Sequence, residues 1–199
     1  AIDPTYIIND GGEHWLIYGS WHSGIAAVKV DPATGKPENL GNPWDNNAAY
    51  GTLIATRQAG NRWQASEGPE IIYRDGYYYM FLAYDALEVA YNTRVVRSKN
   101  ITGPYTGIDG TNVTAGGDAF PVVTHPYRFG DDHGWVGISH CAVFDDGNDN
   151  WFYASQGRFP ADWDGNESSN ALMMGHVRSI LWTKDGWPLV MPERYGIVP

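Results

Sequence analysis

The sequence holds a single cysteine, Cys141, among its 199 residues, so neither an internal disulfide nor a multi-cysteine zinc site can form. The lone thiol reads as a buried, inert side chain. Cations are scarce as well: 13 Lys and Arg stand against 23 Asp and Glu, for a formal charge of −10. Binding a nucleic acid depends on clustered cations that neutralise phosphates, so that class of partner is excluded. No apolar run approaches the roughly 18 residues that a membrane-crossing helix needs, and the opening Ala1-Ile2-Asp3-Pro4 is not a signal peptide. Helical periodicity is missing too, because no long window repeats apolar residues at i, i+3 and i+4 free of Gly or Pro.

What is present points to short strands joined by turns. Nine Trp and 13 Tyr accompany 24 Gly and 12 Pro, a combination of strand formers and turn formers. Hydrophobic residues make up 43% and charged residues 18%, which is far from the composition of a disordered chain. Runs such as Tyr77-Tyr78-Tyr79-Met80-Phe81-Leu82 recur, and the expectation is an all-β protein.

The chain also repeats itself. Asp3, Glu67 and His140 each open an apolar run, followed by a turn and an aromatic strand marked by Trp15, Tyr78 and Trp151. Asn9-Asp10-Gly11-Gly12, Asp75-Gly76 and Asp145-Asp146-Gly147-Asn148 supply the turns, whose glycines accept positive φ. Third strands are expected at residues 25–30, 93–97 and 173–180. Three antiparallel strands plus an outer fourth, repeated in this way, is how β-propeller blades read. In a propeller the starts of the innermost strands ring one channel, so Asp3, Glu67 and His140 would converge. A β-sandwich with these residues on unrelated surfaces is the competing topology. Three units are fewer than the four to eight blades that usually close a propeller, so a further segment is expected upstream of Ala1, in the same or a separate chain.

Two acids at successive inner-strand starts are the residue types that glycoside hydrolysis uses, although propellers also carry channel acids for binding alone. Five stretches go further: Ala1-Ile2-Asp3-Pro4, Tyr18-Gly19-Ser20-Trp21-His22-Ser23-Gly24-Ile25, Ser66-Glu67-Gly68-Pro69, the run from Arg97 to Tyr105, and the run from Trp182 to Pro188. Together, in this order, they resemble glycoside hydrolase family 43, specifically its arabinanases, across almost the whole chain.

The resemblance implies a five-bladed β-propeller, present in residues 1–199 as an incomplete set of blades of a catalytic domain. It also implies an inverting reaction run by three acids. Glu67 matches the general acid, and Asp3 matches a modulating aspartate that keeps the acid protonated by like-charge repulsion. The third, a water-activating base, would lie upstream of Ala1, and so would the first blade; a further β domain would begin beyond Pro199. His140 matches a histidine that holds one hydrated calcium ion in the channel. Trp21 and Ser23 fall in a loop that lines the sugar cleft, with His22 where the family carries an aromatic or apolar residue; Arg178 matches an arginine near the active centre. Arabinan or arabino-oligosaccharide is the implied substrate, and a secreted or periplasmic enzyme the implied setting. A related hydrolase of arabinoxylan or xylo-oligosaccharides, and a non-catalytic sugar-binding propeller, are the two other readings.

Overall fold

The computed structural model describes residues 2–38, 50–58, 63–87, 90–121, 123, 128–129, 132–133, 135–158 and 173–192. Among these residues there are strands and turns but no α-helix, as the missing helical periodicity led us to expect. The strands are β1 (Thr5–Ile8), β2 (His14–Tyr18), β3 (Ile25–Val30), β4 (Thr52–Ala55), β5 (Ser66–Arg74), β6 (Tyr77–Tyr84), β7 (Asn92–Ser98), β8 (Arg128–Phe129), β9 (Asp132–His133), β10 (Val136–Asp145), β11 (Trp151–Arg158), β12 (Met173–Trp182) and β13 (Pro188–Val190). They form sheets in simple up-and-down order, β1-β2-β3-β4, β5-β6-β7 and β10-β11-β12-β13, beside the short β8-β9 pair.

The hairpins follow from local chemistry. Asp75 and Gly76, at φ 49° and 80°, make a two-residue connection between β5 and β6, with the pair of positive φ values that matches the twist of the flanking strands. Between β1 and β2, the Asn9 side chain accepts from the Glu13 amide at 2.8 Å while the Glu13 carbonyl accepts from the Asn9 amide. After β10, Asp146 Oδ1 accepts from the Asn148 amide at 2.8 Å, a turn that an Asp side chain is suited to close. The outer fourth strand expected after residues 93–97 is reduced to one bridge, in which Arg97 and Thr106 exchange backbone hydrogen bonds of 2.9 and 3.0 Å.

The chain divides into two compact units, residues 1–80 with 96–119 and residues 81–95 with 120–199. In the first, Ile17, Ile25 and Ile54 are completely buried, each contributing about 1.5–3 kcal/mol by leaving water. The register pairs Tyr6 with Leu16 and Leu16 with Val28, so the opposite face of the same sheet carries Tyr6, Ile8 and Leu53, which are exposed. In the second unit, Val143, Tyr153 and Ile180 are buried, and the opposite face of β10-β11-β12-β13 leaves Phe144, Leu181 and Leu189 exposed. Each four-stranded sheet therefore has one buried face and one that carries exposed apolar residues, although Val28 and Val30, on the same face as Tyr6, are themselves buried.

Candidate active site

Glu67 is the second residue of β5. Gly68 follows it at φ 55°. The Gly68 amide donates to Asp3 Oδ2 at 3.3 Å, so the Asp3 carboxylate is held one residue from Glu67 although 65 positions separate the partners. Asp3 itself sits at φ 56°, a left-handed conformation that Asp tolerates better than most side chains. Thr5 Oγ1 donates to Glu70 Oε2 at 2.9 Å, which ties the start of β1 to β5 beyond that point.

The loop between β2 and β3 closes over Glu67. Ser20 forms an antiparallel bridge with Glu67, the Trp21 amide donates to the Ser66 carbonyl at 2.8 Å, and Ser20 Oγ donates to Glu67 Oε2 at 2.7 Å. Trp21 and His22 then turn the chain at φ 53° and 47°. Only glycine fits at the loop's two ends: a Cβ on Gly19 would stand 2.3 Å from the Gly24 carbonyl oxygen, and one on Gly24 2.3 Å from that of Ala55. Ile2, Ser20, Trp21, His22 and Glu67 together wall a cavity of about 500 Å³. Trp21 is therefore part of the cavity wall and only partly buried, and Ser23 lies exposed on the same loop. Trp63, 66% exposed, meets Trp21 edge-on with ring centres 6.4 Å apart.

A buried polar cluster behind the loop holds this strained turn. Gln64, with no exposed surface, accepts from the Arg57 amide at 2.7 Å through Oε1 and donates through Nε2 to the His22 carbonyl. Arg57 Nη1 in turn donates to the Gln64 and Ala65 carbonyls at 3.2 and 3.0 Å, and its Nε pairs with Asp118 Oδ1 at 3.0 Å. Sequence reasoning missed Ser20, Gln64, Arg57 and Trp63. Ser20 stood inside a quoted motif, but nothing local marks Gln64 or Arg57, whose partners lie in other segments.

His140 and Arg178 belong to the second unit. His140 lies within β10, four residues after the strand begins, and not at its start as the sequence pattern led us to expect. A bulge explains the difference. Ser139 pairs with Gln156 and Ala142 with Ala154, so His140 and Cys141 together oppose Ser155, and His140 takes φ 55° and points to the surface. Ser139, next to it, is locked by Thr93, whose hydroxyl also bonds the Tyr153 hydroxyl at 2.6 Å. His140 Nδ1 lies 3.1 Å from the Tyr91 hydroxyl. Cys141 is half-buried, less enclosed than expected. Arg178 is buried, with Nη2 3.0 Å from His176 Nδ1 and Nε donating to the Pro192 carbonyl at 3.4 Å. No group of three or more His, Cys, Asp or Glu side chains is placed to hold a metal among the described residues. Among the described residues, the arrangement around His140 is compatible with an ion held by that imidazole and completed by water.

The profile of glycosyl hydrolases family 43 matches residues 1–188. An extracellular endo-α-(1→5)-L-arabinanase of Thermotoga petrophila is 29% identical over an alignment covering 98% of this chain and 42% of that protein. An extracellular exo-α-(1→5)-L-arabinofuranosidase of Cellvibrio japonicus is 27% identical, over 96% of this chain and 51% of its own length. The crystal structure of an endo-1,5-α-L-arabinanase from Thermotoga petrophila superposes with a TM-score of 0.81 at 28% identity, covering 98% of this chain and 44% of that one. The chain thus spans about half or less of the length of these relatives.

Proposed function

The chain belongs to glycosyl hydrolases family 43, and on that premise we propose that it forms part of a secreted enzyme that cleaves α-1,5-linked arabinan with inversion. The observation that carries this reading is Glu67, a carboxyl group in the wall of a cavity of about 500 Å³ beside an indole, with the Asp3 carboxylate bonded to the next peptide. An indole edge or face suits the apolar side of a furanose ring. The extracellular arabinan-degrading relatives support both the substrate and the location.

In this scheme Glu67 gives its proton to the glycosidic oxygen as the bond to the anomeric carbon breaks. A water attacks the opposite face, losing its proton to a base carboxylate supplied from outside these residues, about 6.5–9.5 Å from Glu67. Asp3, oriented by the Gly68 amide, keeps negative charge close to the acid. The exposed apolar residues Tyr6, Ile8 and Leu53 in one sheet and Phe144, Leu181 and Leu189 in another support further sheets packing there, as a five-bladed propeller requires. The Glu67→Gln variant of the full-length protein should lose about 10²–10⁴-fold in turnover of linear arabinan while its circular dichroism is unchanged. Retained turnover would remove Glu67 from the mechanism.

His140 is the candidate calcium ligand. The Tyr91 hydroxyl, 3.1 Å from Nδ1, is placed to orient its ring. A hydrated cation there would act chiefly through its positive field.

A further inference from the structure

We propose that Ser20 is the positioning residue that decides which oxygen of Glu67 carries the transferable proton. The inference rests on the reading of Glu67 as the acid and adds a residue to it. A protonated carboxyl group donates through one oxygen and accepts through the other. Ser20 Oγ donates to Oε2 at 2.7 Å, which makes Oε2 the accepting oxygen and leaves the proton on Oε1.

Ser20 is itself fixed on both sides. The Gly19 amide donates to the Ile2 carbonyl at 3.1 Å, the Trp21 amide donates to the Ser66 carbonyl, and the backbone bridge joins Ser20 to Glu67 directly. The hydroxyl therefore has little freedom to follow a rotating carboxyl group, and the carboxyl plane is held instead. As the reaction proceeds, the Oε1–H bond breaks and an O–H bond forms on the leaving oxygen, which takes the electron pair of the broken glycosidic bond. Attacking water completes the new bond at the anomeric carbon, and its proton goes to the base. Glu67 ends as a carboxylate. The Ser20 hydrogen bond is stronger to that charged product than to the neutral acid, so it favours the transition state over the ground state.

The test is a leaving-group series measured on the full-length protein: linear arabinan and aryl α-L-arabinosides running from phenyl to 2,4-dinitrophenyl. The last needs no protonation to depart. Ser20→Ala is expected to lower kcat on arabinan about 10–100-fold with KM within about twofold, and to lower it less than about threefold on the dinitrophenyl substrate. Ser20→Thr, which keeps the hydroxyl, should restore most of the loss, and Ser20→Cys, a weaker donor of similar size, should fall between. An equal loss across all leaving groups, a loss confined to KM, or unchanged kcat on arabinan would overturn the role of Ser20. Glu67→Gln in the same series separates the two claims. If that variant shows no dependence on leaving group, the acid assignment itself fails; if it does and the Ser20→Ala variant does not, only the present inference fails.

Discussion

Gln64 is the residue whose removal tests most directly how the loop over Glu67 is held. Replacing it with Leu keeps a side chain of similar size in a fully buried site but deletes the side-chain amide's hydrogen bonds to Arg57, Trp21 and His22. The buried Arg57 amide would then lack its acceptor, which costs about 1–3 kcal/mol. The His22 carbonyl would lose its donor too, but His22 is exposed and water can replace part of that bond. Trp21 and His22 adopt left-handed φ values that cost about 1–3 kcal/mol each and persist only because their surroundings impose them. Relaxation of that strain offsets some of the loss, so the net destabilisation should be about 1–2 kcal/mol. Urea unfolding followed by tryptophan fluorescence would show it as a midpoint lowered by about 0.5–1 M. The relaxed loop would carry Ser20 and Trp21 away from Glu67, and a displacement of about 1 Å is enough to lower kcat/KM about 100-fold. A Gln64→Leu protein within about 0.5 kcal/mol of wild type and with unchanged kcat/KM would refute the idea that this cluster sets the loop.

Two further outcomes follow from other parts of the structure. If His140 holds a calcium ion, dialysis against a calcium chelator should lower turnover and added calcium should restore it, with the response lost in His140→Ala; a protein shown to be metal-free that keeps full activity would sink the assignment. Burial pushes the Tyr78 phenol up from 10.0 to about 12, and burial raises Tyr105 as well. Between pH 10 and 12 the unfolded chain has released a proton that folded Tyr78 still holds, so stability is full below pH 10 and declines as pH rises through that window. Ultraviolet titration should show these phenols ionising after the exposed ones, and Tyr78→Phe should flatten the decline measured by urea unfolding. Uniform ionisation of all 13 tyrosines near pH 10 would contradict the burial.

Much of the strand framework was legible because hairpins are local objects. Asp75-Gly76 fixes a turn whatever lies elsewhere, and the aromatic run after it can only continue as a strand. The third strands at residues 25–30 and 173–180 were readable for the same reason: apolar residues crowd a short window bounded by turn formers. Bulges are less visible. Nothing in Ser139-His140-Cys141-Ala142 announces the extra residue that turns His140 outward, because the bulge is defined by what pairs across from it on β11.

Asp3 and Glu67 were found from a repeat and a resemblance, and the sequence alone determined that both begin strands of equivalent hairpins. Only the tertiary structure decided that Asp3 bonds the peptide of Gly68, that Ser20 reaches Glu67 across 47 positions, and that Gln64 and Arg57 hold the loop above it. Arg178 makes the same point, since it is buried against His176. Local preferences settle turns and strands within a few residues, whereas the partner of a buried polar group is chosen by which distant segments pack together, and that choice leaves no mark on the residues beside it.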